Sequence, residues 1–591
     1  MKQIIKLGII LLITLMPVSC MDLDINKDPD NATSTSGSVA TRLPAIQFWM
    51  GQTYQVSGVF GALMEQHITL DARGGRYGSL AEWTAANNTA ATYPYQAFFV
   101  GVGGTLPHLH LMAEREGAYH YMGIAKLFRA MGFMAMADVY GEMPYTEALS
   151  DSIINPKFDD GKTIFNGCIN ELDEAIALFK KTQEPGATSL REGDCWNGGD
   201  VDKWIRLCYG LKARWLNNLS KKASYDADAV LAALADAPQS NAHNTVIRHE
   251  NLDANNVDRL WGDPVNVSYT YIWLNNWSNI YYPTKWYVDL LTDFDGMGIT
   301  DPRADKLVPC AQTGNRQWFR TRGVDMQSNV RIGSNWVAPG SYYPDQKKWG
   351  KGINLNDGSV IENSDSTVMS LLTVGVARSS VSKNFKDIEE SDGTIINSGN
   401  FYSRPDAPTH FLCYPEMCFI KAEALLSKGQ AGPAFDAYRE GVRAHMELMN
   451  EKLGEYNDPV NISKQPITQT EINDYLNSAA VGTSGNLTLG KIMTQKFIAL
   501  SFSLQNWNDM RRMDYSSSIY GGWAEPFERT SGNNDKRFIP DGRQYRRLCQ
   551  SPTLEQAYNN ANVAASHPHA LLDDIYSYPV WWDYPTDNYK E

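Results

Sequence analysis

The stretch SYTYIWLNNWSNIYYPTKW places Trp273, Trp277 and Tyr282 among Asn275, Asn276 and Asn279. A sugar ring has an apolar C–H face and a rim of hydroxyls, so flat rings and side-chain amides act on it together. Two further segments repeat the combination. Tyr77 and Trp83 follow Asp71, Arg73 and Arg76 in DARGGRYGSLAEW, and Trp336, Tyr343 and Trp349 mark NWVAPGSYYPDQKKWG. We read these as three candidate walls of a ligand site. For each ring taken singly, packing against its own scaffold is the competing reading.

Catalytic signatures are missing from the sequence. It contains no HExxH, GxSxG or Walker loop. A glycoside hydrolase also joins rings to acids, but its carboxylates stand about 5–10 Å apart, and the 67 acidic residues include no spacing that reveals such a pair. His108 and His110, two apart on a helix, would point in different directions and suit no metal. The eight cysteines form no CxxC pair and no Cys/His cluster at zinc spacing. Neither a cofactor nor a metal is therefore expected. Cys168, Cys208 and Cys418 fall in apolar helical patterns and read as small buried hydrophobes.

The elements that must carry these loops are helical. Phe165, Ile169, Leu172, Ile176 and Phe179 step along one helix face. Trp204, Cys208, Leu211 and Trp215 form a second stripe, and Met493, Phe497, Leu500, Leu504 and Trp507 a third. YPEMCFIKAEALLSKG runs through Gly429 into QAGPAFDAYREGVRAHM, and the small residues Ala422, Ala424 and Ala434 with Tyr438 resemble a tetratricopeptide-type hairpin. The expected class is mainly α, with degenerate hairpins as a scaffold over residues 105–225 and 411–515. Between 240 and 410 the periodicity fades, which predicts a loop-rich portion where binding residues concentrate.

The N-terminus reads as an address. Lys2 and Lys6 precede the apolar run Leu7–Val18, too short to span a bilayer of about 30 Å. Ser19 and Cys20 then follow, as in bacterial lipoprotein signals whose cysteine is acylated, although Pro17 stands where such signals usually have Leu. The alternative is an ordinary secretory signal. We assign residues 1–19 to the signal, 20–40 to the lipidated Cys20 and an acidic tether, and 41–591 to one domain. Asp22, Asp24 and Asn26 mimic the start of a calcium loop, but Lys27 replaces its Gly and Thr33 its Glu. The formal charge of −14 becomes −16 without residues 1–19, leaving no basic excess for nucleic acid.

Several of these segments share a pattern with one known family. MADVYGEMPYTEAL is similar to the D-x-Y-G-[DE]-x-P-Y-x-E-A signature of the SusD/RagB family, in its SusD-like second subfamily. GDVDKWIRLCYGLKARWLNNLSKKA, TDPRADKL, YPEMCFIKAEALLSKG, QNWNDMRRMDY and VWWD follow in the family's order. Gln505 departs from a common Glu, which puts in doubt an ion pair with Arg511 or Arg512. The resemblance implies tetratricopeptide-like helix pairs, an outer-membrane lipoprotein, and a lid over a SusC-like TonB-dependent β-barrel importer. It further implies capture of oligosaccharide, or in some branches peptide, without cleavage. A surface glycoside hydrolase and a scaffold that binds only proteins are the other readings.

Overall fold

The computed structural model describes residues 37–70, 77–84, 88–249, 268–274, 281–312, 318–321, 323–327, 331–332, 335–336, 351–354, 360–362, 388–389, 395–397, 400–526, 539–540 and 542–591. The expectations for the signal, Cys20 and the tether up to residue 36 lie outside these residues.

The first helix, Val39–Met64, starts at a capping box in which Ser38 accepts from Thr41 N–H. It is enclosed on most of its faces, because its neighbours lie against glycine. A Cβ on Gly51 would stand 2.0 Å from the Tyr269 ring, one on Gly58 2.1 Å from Phe502 O, and one on Gly61 3.2 Å from Trp507 Cβ. Its buried polar side chains have local or distant partners: Gln47 donates to Asp194 at 2.7 Å and Gln55 to Phe502 O at 3.2 Å.

Helical pairs make up the scaffold, as the periodicity predicts. Tyr119–Tyr140 packs on Gly161–Phe179, where a Cβ on Gly123 would press the Phe179 ring at 2.9 Å. Lys126 and Arg129, on the mostly apolar Tyr119–Tyr140, pair with Glu174 and Glu171. The helix stops at Gly141, whose φ of +84° suits glycine and whose Cβ position is filled by the Arg547 guanidinium. Trp204, Cys208, Leu211 and Trp215 are all buried on Val201–Asn218. The hairpin Tyr414–Ser427 and Ala431–Tyr456 turns at Gly429 (φ +73°), with Ala422, Ala424, Ala434 and Tyr438 buried. The Cys168, Cys208 and Cys418 thiols are buried, and none of the described cysteines is in a disulfide.

The third stripe is core, but it is not one helix. Leu489–Ala499 ends, Phe502 takes a left-handed φ of +64°, and Ser503 caps a new helix, Leu504–Arg512, by accepting from Gln505 N–H. A serine suited to capping and the close passage of Gly58 against Phe502 override the continuous apolar period. The Gln505 departure also resolves differently from expectation. Arg512 pairs with Asp509 at 2.8 Å and Glu423 at 2.5 Å, and Lys496 pairs with both acids. The Gln505 amide donates to Asp509 at 2.8 Å and to Asn218 at 2.7 Å, where a glutamate would set a second carboxylate beside Asp509. Arg511 instead lies 3.7 Å over the Trp507 ring.

The 240–410 portion carries short strands as well as loops. Cys310–Gln312, Trp318–Thr321, Lys351–Asn354 and Val360–Glu362 form a four-stranded antiparallel sheet in that order. Asp301 and Arg303 form an ion pair at 2.5 Å with both side chains fully buried.

Candidate functional site

Where the first helix ends, its chain turns to reach a strand. Glu65 closes the helix, Gln66 takes a φ of +62°, and Ile68–Leu70 then pairs antiparallel with Tyr281–Pro283. The register sets Ile68 opposite Pro283, Thr69 opposite Tyr282, and Leu70 opposite Tyr281. The first two predicted walls, some 200 residues apart in sequence, thus leave and enter the scaffold at one ladder. Tyr282 is half-buried there, and Thr69 is buried.

Main-chain bonds extend this rim. The Thr284 hydroxyl donates to Gln66 O, and Thr284 N–H to His67 O at 3.2 Å. The same hydroxyl caps the helix Lys285–Thr292 by accepting from Tyr287 N–H. Val324 N–H donates to Pro283 O at 2.9 Å, and Lys285 N–H to Val324 O at 2.7 Å. From the C-terminal third of the chain, Trp523 donates its indole N–H to Glu65 O at 3.2 Å. Gln66 donates to Ala524 O at 2.7 Å, Trp286 to Gly521 O at 3.0 Å, and Gln327 to Glu525 O. Val324–Gln327 and Gly521–Glu525 are rim segments that sequence reasoning missed. The doublet Gly521-Gly522 before Trp523 marks a turn but does not say where the turn docks.

Two expected wall residues are corrected. Trp83 is 1% exposed, donates its indole N–H to Met64 O at 2.8 Å, and packs against Tyr515 and Trp523 with centroids 5.1 and 5.6 Å away. Tyr77 is 3% exposed, with its ring 5.2 Å from Phe60. Their rings fill the core beneath the rim, so burial has taken the surface that a ligand would need. Trp273 falls on the short helix Tyr269–Leu274, whose Tyr269 and Leu274 are buried. Trp336 pairs with Arg331 in a two-stranded ladder. The Trp273 and Trp336 side chains, and Asp71, Arg73, Arg76, Asn275, Asn276, Trp277, Asn279, Tyr343 and Trp349, lie outside the described residues.

Beneath the rim the electrostatics are those of a closed interior. Burial raises the Glu65 carboxyl well above its ordinary range, and nearby Asp509 adds to the rise. Burial alone lowers the His67 imidazole to about 3, so it is neutral. Other buried acids are held by cations: Glu416 by Arg214 at 2.6 Å and Glu142 by Arg547 at 2.6 Å. Such pairs order the scaffold. Among the described residues no group of three or more His, Cys, Asp or Glu could hold a metal, and no helix is long and apolar enough to cross a membrane. At the rim, Tyr282 is half-buried and Gln327 is exposed.

The scaffold is thus one of helical hairpins with an irregular rim of short strands and turns. The chain belongs to the SusD-like family described as starch-binding and associating with the outer membrane, whose sequence profile matches residues 55–327 and 369–541. No curated protein matches it. Its fold is similar to that of a solved SusD/RagB family protein from Bacteroides thetaiotaomicron, at 20% identity and a TM-score of 0.61, covering 93% of this chain and all of that one. A chitin-binding protein is similar at 20% identity and a TM-score of 0.61, over 92% of this chain and all of its own. A SusD homolog from Bacteroides fragilis follows at 17% identity and a TM-score of 0.57, over 93% of this chain and all of its own.

Proposed function

We propose that this chain is a non-catalytic lipoprotein, anchored through Cys20, that captures oligosaccharide at the cell surface and delivers it to a SusC-like TonB-dependent barrel as its lid. The observation that supports the reading is the ladder joining Ile68–Leu70 to Tyr281–Pro283, which adjoins in sequence two ring- and amide-bearing segments of a chain in the starch-binding family. Tyr282 with Trp273, Trp277, Asn275, Asn276 and Arg73 are the proposed ligand contacts, and Trp336 and Trp349 are the proposed outer wall.

The test is calorimetric titration of the mature chain with malto-oligosaccharides, chosen from the family description, and with chito-oligosaccharides, chosen from the chitin-binding neighbour. Saturable binding without new reducing ends is expected. Turnover would replace the reading with a hydrolase, and binding of peptides alone would move the chain to a peptide-capturing branch.

A further inference from the structure

Glu65 occupies an unusual place for a carboxylate. Its side chain is 0% exposed, and neither carboxyl oxygen has a hydrogen-bond partner among the described residues. Its backbone, by contrast, is joined on both sides: Glu65 N–H donates to Gly61 O at 2.8 Å, and Glu65 O accepts the Trp523 indole. The next residue, Gln66, holds φ at +62° and ties Ala524 and Thr284 to the same turn. A left-handed non-glycine residue costs about 1–2 kcal/mol, so this turn persists only while its surroundings hold it.

We propose that Glu65 is carried as the neutral acid and acts as a proton-gated latch, so that losing its proton opens the Glu65–His67 turn and loosens the rim above it.

Among the described residues, no neighbour offers Glu65 a cation to hold its charge. From the helix Leu504–Arg512 the charged group acting on Glu65 is Asp509, of the same sign. The cations beside Asp509, Lys496 and Arg512, are already shared between Asp509 and Glu423. The helix Lys285–Thr292 contributes Tyr287, whose hydroxyl is bonded to Ser501 at 3.0 Å, and the following segment contributes Tyr520, whose buried hydroxyl has no partner among the described residues. On its own segment lies neutral His67, its ring 4.0 Å from Tyr287 and 4.5 Å from Phe502. An ionised Glu65 would be an unpaired buried anion next to another anion, and water reaches it only if the turn opens.

The sign follows from proton linkage. The unfolded chain releases this proton near the ordinary value of 4.5, whereas the folded chain keeps it. Stability from the neutral acid is therefore complete below that value and is lost as pH rises towards the raised folded value. The consequence for capture rests on the proposed function, but the stability and infrared readouts do not.

The experiment compares the mature chain with Glu65→Gln, an isosteric neutral side chain, from pH 4.5 to 9. The wild-type Tm should fall relative to that of Glu65→Gln as pH rises. A protonated-carboxyl infrared band should be present in the wild type at neutral pH and missing from the variant, and hydrogen exchange at Gln66–Leu70 should accelerate with pH beyond its intrinsic rise in the wild type alone. Parallel Tm profiles would overturn the latch. If Glu65→Gln does not fold, the wild-type band decides: its absence at neutral pH overturns the proposal, and its loss together with faster Gln66–Leu70 exchange at higher pH supports it. A latch with these properties and no saccharide binding would remove the capture function and leave the switch standing.

Discussion

Leu70 and Tyr281, far apart in sequence, stand opposite each other in an antiparallel ladder. Sequence separation hides the relationship. The geometry pairs strands that adjoin, in sequence, what composition offers as two unrelated loops, and it gives the described rings unequal exposure.

Tyr282 is the described ring left half-accessible at the ladder. Tyr282→Ala should weaken oligosaccharide binding by about threefold to tenfold, the ~0.5–1.5 kcal/mol that ring stacking supplies. Its Tm should stay near that of wild type. Calorimetry and a thermal melt on the same sample check both.

Trp83 should behave oppositely. Its ring is in the core and its indole N–H is bonded to Met64 O, so Trp83→Ala should cost about 3–5 kcal/mol in denaturant unfolding. Trp83→Phe retains most of the packing and should lose only about 1 kcal/mol, the worth of the hydrogen bond. A stable Trp83→Ala with weakened saccharide binding would return this ring to the ligand wall.

Arg512 holds Glu423 and Asp509 together inside the scaffold. Arg512→Ala leaves buried carboxylates short of a cation and should cost about 3–5 kcal/mol in a urea melt. Burial opposes ionisation of Asp509, but Lys496 and Arg512 outweigh it and lower its pKa. This contribution is present above the ordinary value of 3.8 and fades as pH falls through the folded value. The variant's stability deficit should therefore shrink in acid.

Cys20→Ala should move the chain from the membrane fraction to the soluble fraction, because it removes the thiol that the proposed function assigns as the acylated anchor. Fractionation followed by immunodetection reads the outcome. Continued membrane retention, with the barrel gene deleted, would contradict the lipid assignment.

How much of this was legible follows from what each element buries. The stripes on Gly161–Phe179 and Val201–Asn218 were readable because each has one apolar face. The helix Val39–Met64 has no such face, since Gln47, Gln52, Thr53, Gln55 and Ser57 are all buried on it and its glycines admit neighbours, leaving no single stripe. The break at Phe502 was hidden by apolar residues that keep helical spacing across it. For the site, residue types marked the right segments, but only pairing could separate Tyr282 from Trp83. A tryptophan in a polar loop looks the same in sequence whether its ring faces outward or caps a short helix in the core.

The most direct test is a crystal structure of the mature chain with a bound malto- or chito-oligosaccharide. The account predicts a sugar ring against Tyr282, at the edge where Leu70 and Tyr281 pair. Electron density for the sugar on the helical hairpins, away from that ladder, would contradict it.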